Sequence, residues 1–234
     1  MFYQFNPEIV PTAQQAFVRQ LLDCKNFSTS ERLQGSSKGR GITWFLYTQD
    51  KLGVGVDAVH RHYYRGGLFG KVIRDRYWFN GYADTRAAKE FALLCQLHQW
   101  GLPVPQPIAF KIKRRYCCYQ ADILLQKIAN THDLSQLLQT APLAEQQYHY
   151  IGKLIRRLHD HQVHHSDLNI HNILLDAQGK FWLIDFDKCR IEQGEQWKAA
   201  NLARLLRSFR KEQKRLTIHF SDANWQALLA GYHA

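Results

Sequence analysis

The chain has 234 residues, 45% of them apolar and 13% aromatic, which is enough to bury the core of one large domain or two intimate lobes and excludes a disordered or fibrous chain. Lysine and arginine outnumber aspartate and glutamate by 31 to 20, a formal charge of +11, so the partner is expected to be anionic: phosphorylated ligands, nucleic acid or a membrane surface. Cys24, Cys95, Cys117, Cys118 and Cys189 are odd in number and without C-x-x-C spacing, which points to a reducing compartment and no structural zinc.

The N-terminal stretch has no basic segment leading into a long apolar one, and apolar runs such as Phe181 to Ile184 are far too short to span a bilayer. A cytoplasmic chain, soluble or peripheral, is expected. Gly35, Gly39 and Gly41 precede a β-branched stretch, Ile42 to Thr48. A turn at 49–53 and a second strand-like stretch, Val54 to Tyr64, complete a glycine loop with a hairpin. From Thr85 to Trp100 the positions of Ala88, Phe91, Leu94, Cys95 and Leu97 predict a helix, stopped by Gly101 and Pro103. A strand at Tyr116 to Gln126 follows. After a linker near Lys127 to Asn130, Ile151, Leu154, Ile155 and Leu158 mark a helix from about Leu143 to His161. Two short apolar runs, Ile173 to Leu175 and Phe181 to Ile184, flank a turn at Asp176 to Lys180.

Chemistry concentrates in His165-Ser166-Asp167-Leu168-Asn169-Ile170-His171-Asn172-Ile173-Leu174-Leu175 and in Leu183-Ile184-Asp185-Phe186-Asp187. These segments resemble the protein-kinase-like catalytic loop and its metal-binding D-F-x, with Asn172 five and Asp185 eighteen residues after Asp167. Phosphoryl transfer needs an acceptor hydroxyl held in line with the γ-phosphate of ATP, and Asp167 is the carboxylate suited to accept its proton. Asn172 and Asp185 offer hard oxygen donors suited to Mg²⁺. The competing reading is that the Asp and Asn merely make local backbone bonds near a turn. Zinc on the crowded His159, His161, His164, His165 and His171 is disfavoured, since neither H-E-x-x-H nor a cysteine pair accompanies them; His165 is expected to buttress the loop.

The kinase template also asks for a phosphate-cradling glycine loop, a cation on the third strand and a glutamate on the next helix. Gly35, Lys38, Gly39 and Gly41 are the candidate nucleotide-binding loop, although the spacing is not G-x-G-x-x-G. Glu90 sits in the right helix. Where V-A-I-K is expected the strand reads Ala58-Val59-His60-Arg61, so Arg61 is expected to pair with Glu90 and reach the phosphates, unless it is an ordinary exposed strand residue. Asp187 replaces the glycine of protein kinases, which argues mildly for a small-molecule substrate.

The stretches Arg61 to Leu68, Gly101 to Pro105, Ala121 to Leu124, His165 to Asn169 and Asn201 to Ser208 resemble the 3-deoxy-D-manno-octulosonic acid (Kdo) kinases, relatives of the lipopolysaccharide core heptose kinases. The resemblance runs from about residue 35 to 215, and in that family an arginine replaces the strand lysine. It implies an α+β, two-lobed protein-kinase-like fold with a small β-rich N-lobe (1–126) and a larger, mainly helical C-lobe (127–234). It also implies transfer of the ATP γ-phosphate to the 4-hydroxyl of a Kdo residue on a lipid A precursor at the cytoplasmic face of the inner membrane.

Two basic stretches are candidates to meet such an anionic surface. Gly70 to Asn80 interleaves Lys71, Arg74 and Arg76 with Phe69, Tyr77, Trp78 and Phe79. Arg204, Arg207, Lys211 and Lys214 lie opposite Leu202, Leu205, Leu206 and Phe209 on a basic amphipathic helix, which equally suits a core-packed helix with a solvated charged face. Alternatives to the Kdo kinase reading are another small-molecule or atypical protein kinase of the same fold, or a non-catalytic basic binding protein. Nucleic acid is not expected, since no recognised reading module is present.

Overall fold

The computed structural model describes residues 1–38, 41–52, 55–65 and 74–234. Gly39 of the expected glycine loop, Gly66 to Leu68, and Phe69 to Lys71 of the first basic stretch lie outside the described residues. The chain divides into two compact units, residues 1–95 with 105–128, and residues 96–104 with 129–234. They are nearly equal in length, because the first carries a strand and a helix ahead of the glycine-rich stretch.

The first unit is an antiparallel sheet with seven strands among the described residues. Its strands are β1 (Phe2–Phe5), β2 (Leu33–Lys38), β3 (Ile42–Leu46), β4 (Ala58–His62), β5 (Tyr77–Trp78), β6 (Pro107–Arg115) and β7 (Cys118–Gln126), in the order β1-β6-β7-β4-β3-β2 with β5 on β7. Gly35 and Lys38, expected in a loop, belong to β2 and face Phe45 and Ile42 across the ladder. The polar run Ser36-Ser37-Lys38 hides this strand because its side chains are exposed and show no apolar alternation. The strand expected from Tyr116 starts at Cys118, since Tyr116, with φ of +54°, forms the turn of the β6–β7 hairpin.

Strand alternation sends Ala58 and His60 to one face of β4 and Arg61 to the other. The first face is closed by the N-terminal segment and α1 (Gln15–Asp23), whose Val18, Leu21 and Leu22 pack with Ile9, Phe27, Trp44, Leu46 and Leu124. Each such fully buried side chain contributes about 1.5–3 kcal/mol. The helix predicted over Thr85 to Trp100 is α2 (Arg86–Gln99).

The second unit is mainly helical. It comprises β8 (Thr131–Asp133), α3 (Leu134–Thr140), α4 (Glu145–Asp160), β9 (Val163–His164), β10 (Ile173–Asp176), β11 (Phe181–Leu183), β12 (Arg190–Ile191), α5 (Gln196–Leu216) and α6 (Asp222–His233). Ile151, Leu154, Ile155 and Leu158 form the buried stripe of α4, as their spacing predicts. Helices α4 and α6 meet at a glycine pair: a Cβ at Gly152 would fall 2.0 Å from the Leu228 carbonyl, and one at Gly231 equally close to that of His149. Only glycine lets the two backbones approach so closely.

A polar cluster lies on the α1 side of the first sheet. His62 Nδ1 is 2.7 Å from Asp122 and its Nε2 is 3.1 Å from Asp75, while Lys111 Nζ lies 3.1 Å from the other oxygen of Asp122. Burial alone would push the His62 pKa down, but the two carboxylates outweigh it and hold it above the ordinary value of 6.5. A raised pKa in the folded state stabilises the protein fully below the unfolded value, and that contribution fades as pH climbs through the folded one. His62→Gln is therefore expected to lose more stability at about pH 5.5 than at about pH 9, read from urea midpoints of variant and native protein. A deficit that does not change with pH would contradict this.

Candidate active site

The β10–β11 hairpin explains why two distant motif residues come together. Its register pairs Ile173 with Leu183, so Asn172 stands just before one strand and Asp185 just beyond the other. The Ile184 amide donates to the Asn172 carbonyl at 3.0 Å, closing the ladder at that end. Asp185 holds a left-handed backbone, φ of +63°, which costs a non-glycine residue about 1–2 kcal/mol. The next residue, Phe186, is buried and sets its ring 4.9 Å from the His165 ring.

His165 is fully buried, and its two ring nitrogens bond in opposite senses. Nε2 is 3.0 Å from the Ile184 carbonyl, which can only accept, and the Asp167 amide donates to Nδ1 at 3.3 Å. The ring is therefore the neutral Nε2–H tautomer, and burial, its largest influence, pushes the pKa down. Behind it runs a chain of buried bonds. Tyr232 Oη lies 2.8 Å from His159 Nδ1, His159 Nε2 lies 3.1 Å from Asn201 Oδ1, and Asn201 Nδ2 donates to the His165 carbonyl at 2.8 Å. Burial holds His159 neutral, with its pKa down at about 4.

In front of His165 the loop is drawn tight. The side-chain amides of Asn169 and Asn172 both donate to the Asp167 carbonyl at 2.9 Å, and Ser166 Oγ donates to the Asp187 carbonyl at 3.0 Å. With its nitrogen engaged in this way, Asn172 has its Oδ1 left as an oxygen donor, and with the Asp185 carboxylate it forms a hard donor set that fits Mg²⁺. The Asp167 side chain is nearly half exposed and forms an ion pair with Arg204 of α5.

That pair bears on the two readings of α5, a membrane-facing amphipathic helix and a core-packed helix with a solvated charged face. Arg204 meets the Asp167 carboxylate, and the second reading fits the packing. Leu202, Leu205 and Phe209, the apolar side of α5, are buried in the protein and cannot enter a lipid interface. Nothing in the helical offsets identified what Arg204 faces. The other crowded histidines have structural neighbours as well: His161 stacks on Trp100 with centroids 4.2 Å apart, and His164 Nδ1 lies 2.7 Å from Glu192.

In the first unit Arg61 pairs with Glu90, whose side chain is completely buried and also accepts from Tyr63 Oη at 2.6 Å. Arg61 is thus a partner to a buried carboxylate and not an ordinary surface residue. A Cβ at Gly41 would sit 2.1 Å from the Tyr64 ring, so a larger residue there requires that side chain to move; Gly35 has ordinary clearance. The structure therefore gathers the expected site residues as two sets, Asp167, Asn172 and Asp185 in the second unit and Arg61 with Glu90 in the first.

The profile of the lipopolysaccharide kinase (Kdo/WaaP) family matches residues 26–232. The chain belongs to that family. Among its relatives, a 3-deoxy-D-manno-octulosonic acid kinase of Actinobacillus succinogenes is 54% identical over 205 residues, 86% of this chain and 85% of the relative. One of the same name from Pasteurella multocida is 49% identical over 238 residues, 100% of this chain and 96% of the relative, and one from Photobacterium profundum is 46% identical over 222 residues, 95% and 92%. The α+β architecture, an antiparallel sheet followed by a mainly helical region, is that expected of a kinase-like fold, and the protein is a phosphotransferase.

Removing one partner of a buried ion pair strands the other, at a typical cost of about 3–5 kcal/mol. Arg61→Ala and Glu90→Ala are each expected to lower stability and productive ATP use, and the double variant to lose at least about 1 kcal/mol less than the sum of the two. A double-mutant cycle by denaturant unfolding, alongside ATP kinetics, measures the coupling. Additivity to within about 0.5 kcal/mol would mean that the side chains do not act together.

Proposed function

We propose that this kinase transfers the γ-phosphoryl group of ATP to the 4-hydroxyl of a Kdo residue on a Kdo-lipid A precursor, a step of lipopolysaccharide core biosynthesis. The observation that carries the reading is the Asp167 carboxylate, half exposed on a loop fixed by His165, with the oxygen donors of Asn172 and Asp185 beside it. The relatives' shared name supplies the acceptor class, and the +11 charge suits an anionic glycolipid.

Asp167 orients the acceptor hydroxyl and takes its proton as the new O–P bond forms and the bond to the leaving ADP breaks. Asn172 and Asp185 would hold Mg²⁺, which when bound neutralises charge on the phosphate oxygens. Arg61, kept in place by Glu90, offers a permanent cation to phosphate; Lys38 and the glycines Gly35, Gly39 and Gly41 are the remaining nucleotide-binding candidates.

Asp167→Ala is expected to lower transfer by about 10²–10⁴-fold while nucleotide binding survives, and Asp185→Ala to remove Mg²⁺-dependent nucleotide binding as well. ATP radiolabelled at its γ-phosphate, offered together with Kdo-lipid A precursor, an aminoglycoside and a generic protein, should label the first alone. Near-normal turnover in the Asp167 variant, or labelling of another acceptor, would overturn the assignment.

A peripheral position on the cytoplasmic face of the inner membrane is part of the same reading. No described helix is long and apolar enough to cross a membrane. Trp78 and Arg115 each stand opposite Cys118, on strands flanking β7, and Trp78 and Tyr116 are 66% and 83% exposed among Arg74, Arg76 and Arg114. This basic and aromatic end of the sheet suits an anionic headgroup layer better than α5 does. Sedimentation with anionic vesicles should weaken as salt rises, and Trp78→Ala with Arg115→Ala should weaken it further at low salt. Absence of sedimentation at low salt for the native protein would remove the membrane proposal and leave the kinase assignment standing.

A further inference from the structure

We propose that the exposed basic face of α5, from Arg204 through Arg207 to Lys211, is the acceptor-binding track, holding the acidic groups of an anionic sugar headgroup so that its hydroxyl meets Asp167. The proposal rests on the kinase reading above and adds the residues that hold the acceptor.

Helix α5 lies in fixed register along the catalytic loop. Asn201 Nδ2 donates to the His165 carbonyl at 2.8 Å, two residues before Asp167, and the Ile170 amide donates to Ser208 Oγ at 3.2 Å, three residues after it. Arg204 lies between these anchors and reaches the Asp167 carboxylate. A guanidinium has five N–H donors. With 46% of its side chain exposed, Arg204 has donors to spare for a second anion beside the proposed base.

The positive charge continues away from Asp167 along one face. At 100° per residue, positions 204, 207 and 211 fall within an arc of about 60°, and a rise of 1.5 Å per residue spreads them over about 10 Å. Arg207 is exposed and makes no ion pair among the described residues. The nearest carboxylate to Lys211 is Glu212, 4.0 Å away, which is itself buried and bound by Arg215 at 2.6 Å. The face thus presents cations with almost no competing acid, beginning at the carboxylate that receives the acceptor's proton.

The geometry favours a sugar bearing carboxylate or phosphate groups over a bilayer, because the apolar side of α5 is spent in the core. It favours acceptor over nucleotide, because the track begins at the carboxylate proposed to take the acceptor's proton.

The test uses the full chain without ATP and a Kdo-terminated oligosaccharide freed of its acyl chains. Calorimetric titration should show at least about tenfold weaker binding for Arg207→Ala/Lys211→Ala, and little change for the charge-matched Lys153→Ala/Arg156→Ala on α4. In steady-state kinetics the first variant should raise KM for the acceptor and leave KM for ATP unaltered. Equal losses in both double variants, a raised KM for ATP with native oligosaccharide affinity, or weakened sedimentation with anionic vesicles alongside native oligosaccharide affinity would each overturn the track. Because the titration involves no transfer, it stands apart from the chemistry assigned to Asp167: weakened binding in the stripe variant together with normal turnover in Asp167→Ala would refute that chemistry and not the track.

Discussion

The imidazole of His165 makes two hydrogen bonds of opposite sense, and the geometry of the reacting groups depends on both. One nitrogen donates to the Ile184 carbonyl, next to Asp185; the other accepts from the amide of Asp167. A single buried ring thereby fixes the backbone of the proposed base relative to that of the proposed metal ligand. A proton added to the ring would face the Asp167 N–H donor to donor, with no solvent to relieve it. Burial opposes that charge, and the chain from Tyr232 through His159 to Asn201 braces the loop from behind.

Charge is handled differently in the two units. In the first, Glu90 is removed from water altogether and is compensated by Arg61 and Tyr63, an arrangement that rigidifies a cation while leaving part of its side chain exposed. Such pairs add little net stability but are costly to break. In the second, the ion pair of Asp167 with Arg204 is nearly half exposed on both sides, so its partners can be shared with an incoming substrate. A pair meant only for stability gains little from such exposure.

The catalytic loop was legible because its chemistry is tied to a local device. A tight hairpin brings Asn172 and Asp185 together, so their spacing in the sequence carried the geometry. The helices α2 and α4 were legible from their apolar stripes. Strand β6 was not, since residues 107–112 are buried without interruption and present no alternation, with Lys111 buried among them. Helix α6 was hidden for the opposite reason: its tightest contact with α4 is made by Gly231, a residue that registers as neither apolar nor helical. Arg204 shows the remaining limit. Helical offsets place it on a face, and only the fold shows that the face begins at Asp167.

The state of His165 tests the account most directly. In protein labelled with ¹⁵N at histidine, the ring shifts of His165 should report the neutral Nε2–H tautomer at neutral pH, with protonation below the ordinary 6.5. An imidazolium at neutral pH, or a proton on Nδ1, would contradict it, because the bond that positions Asp167 could then not exist.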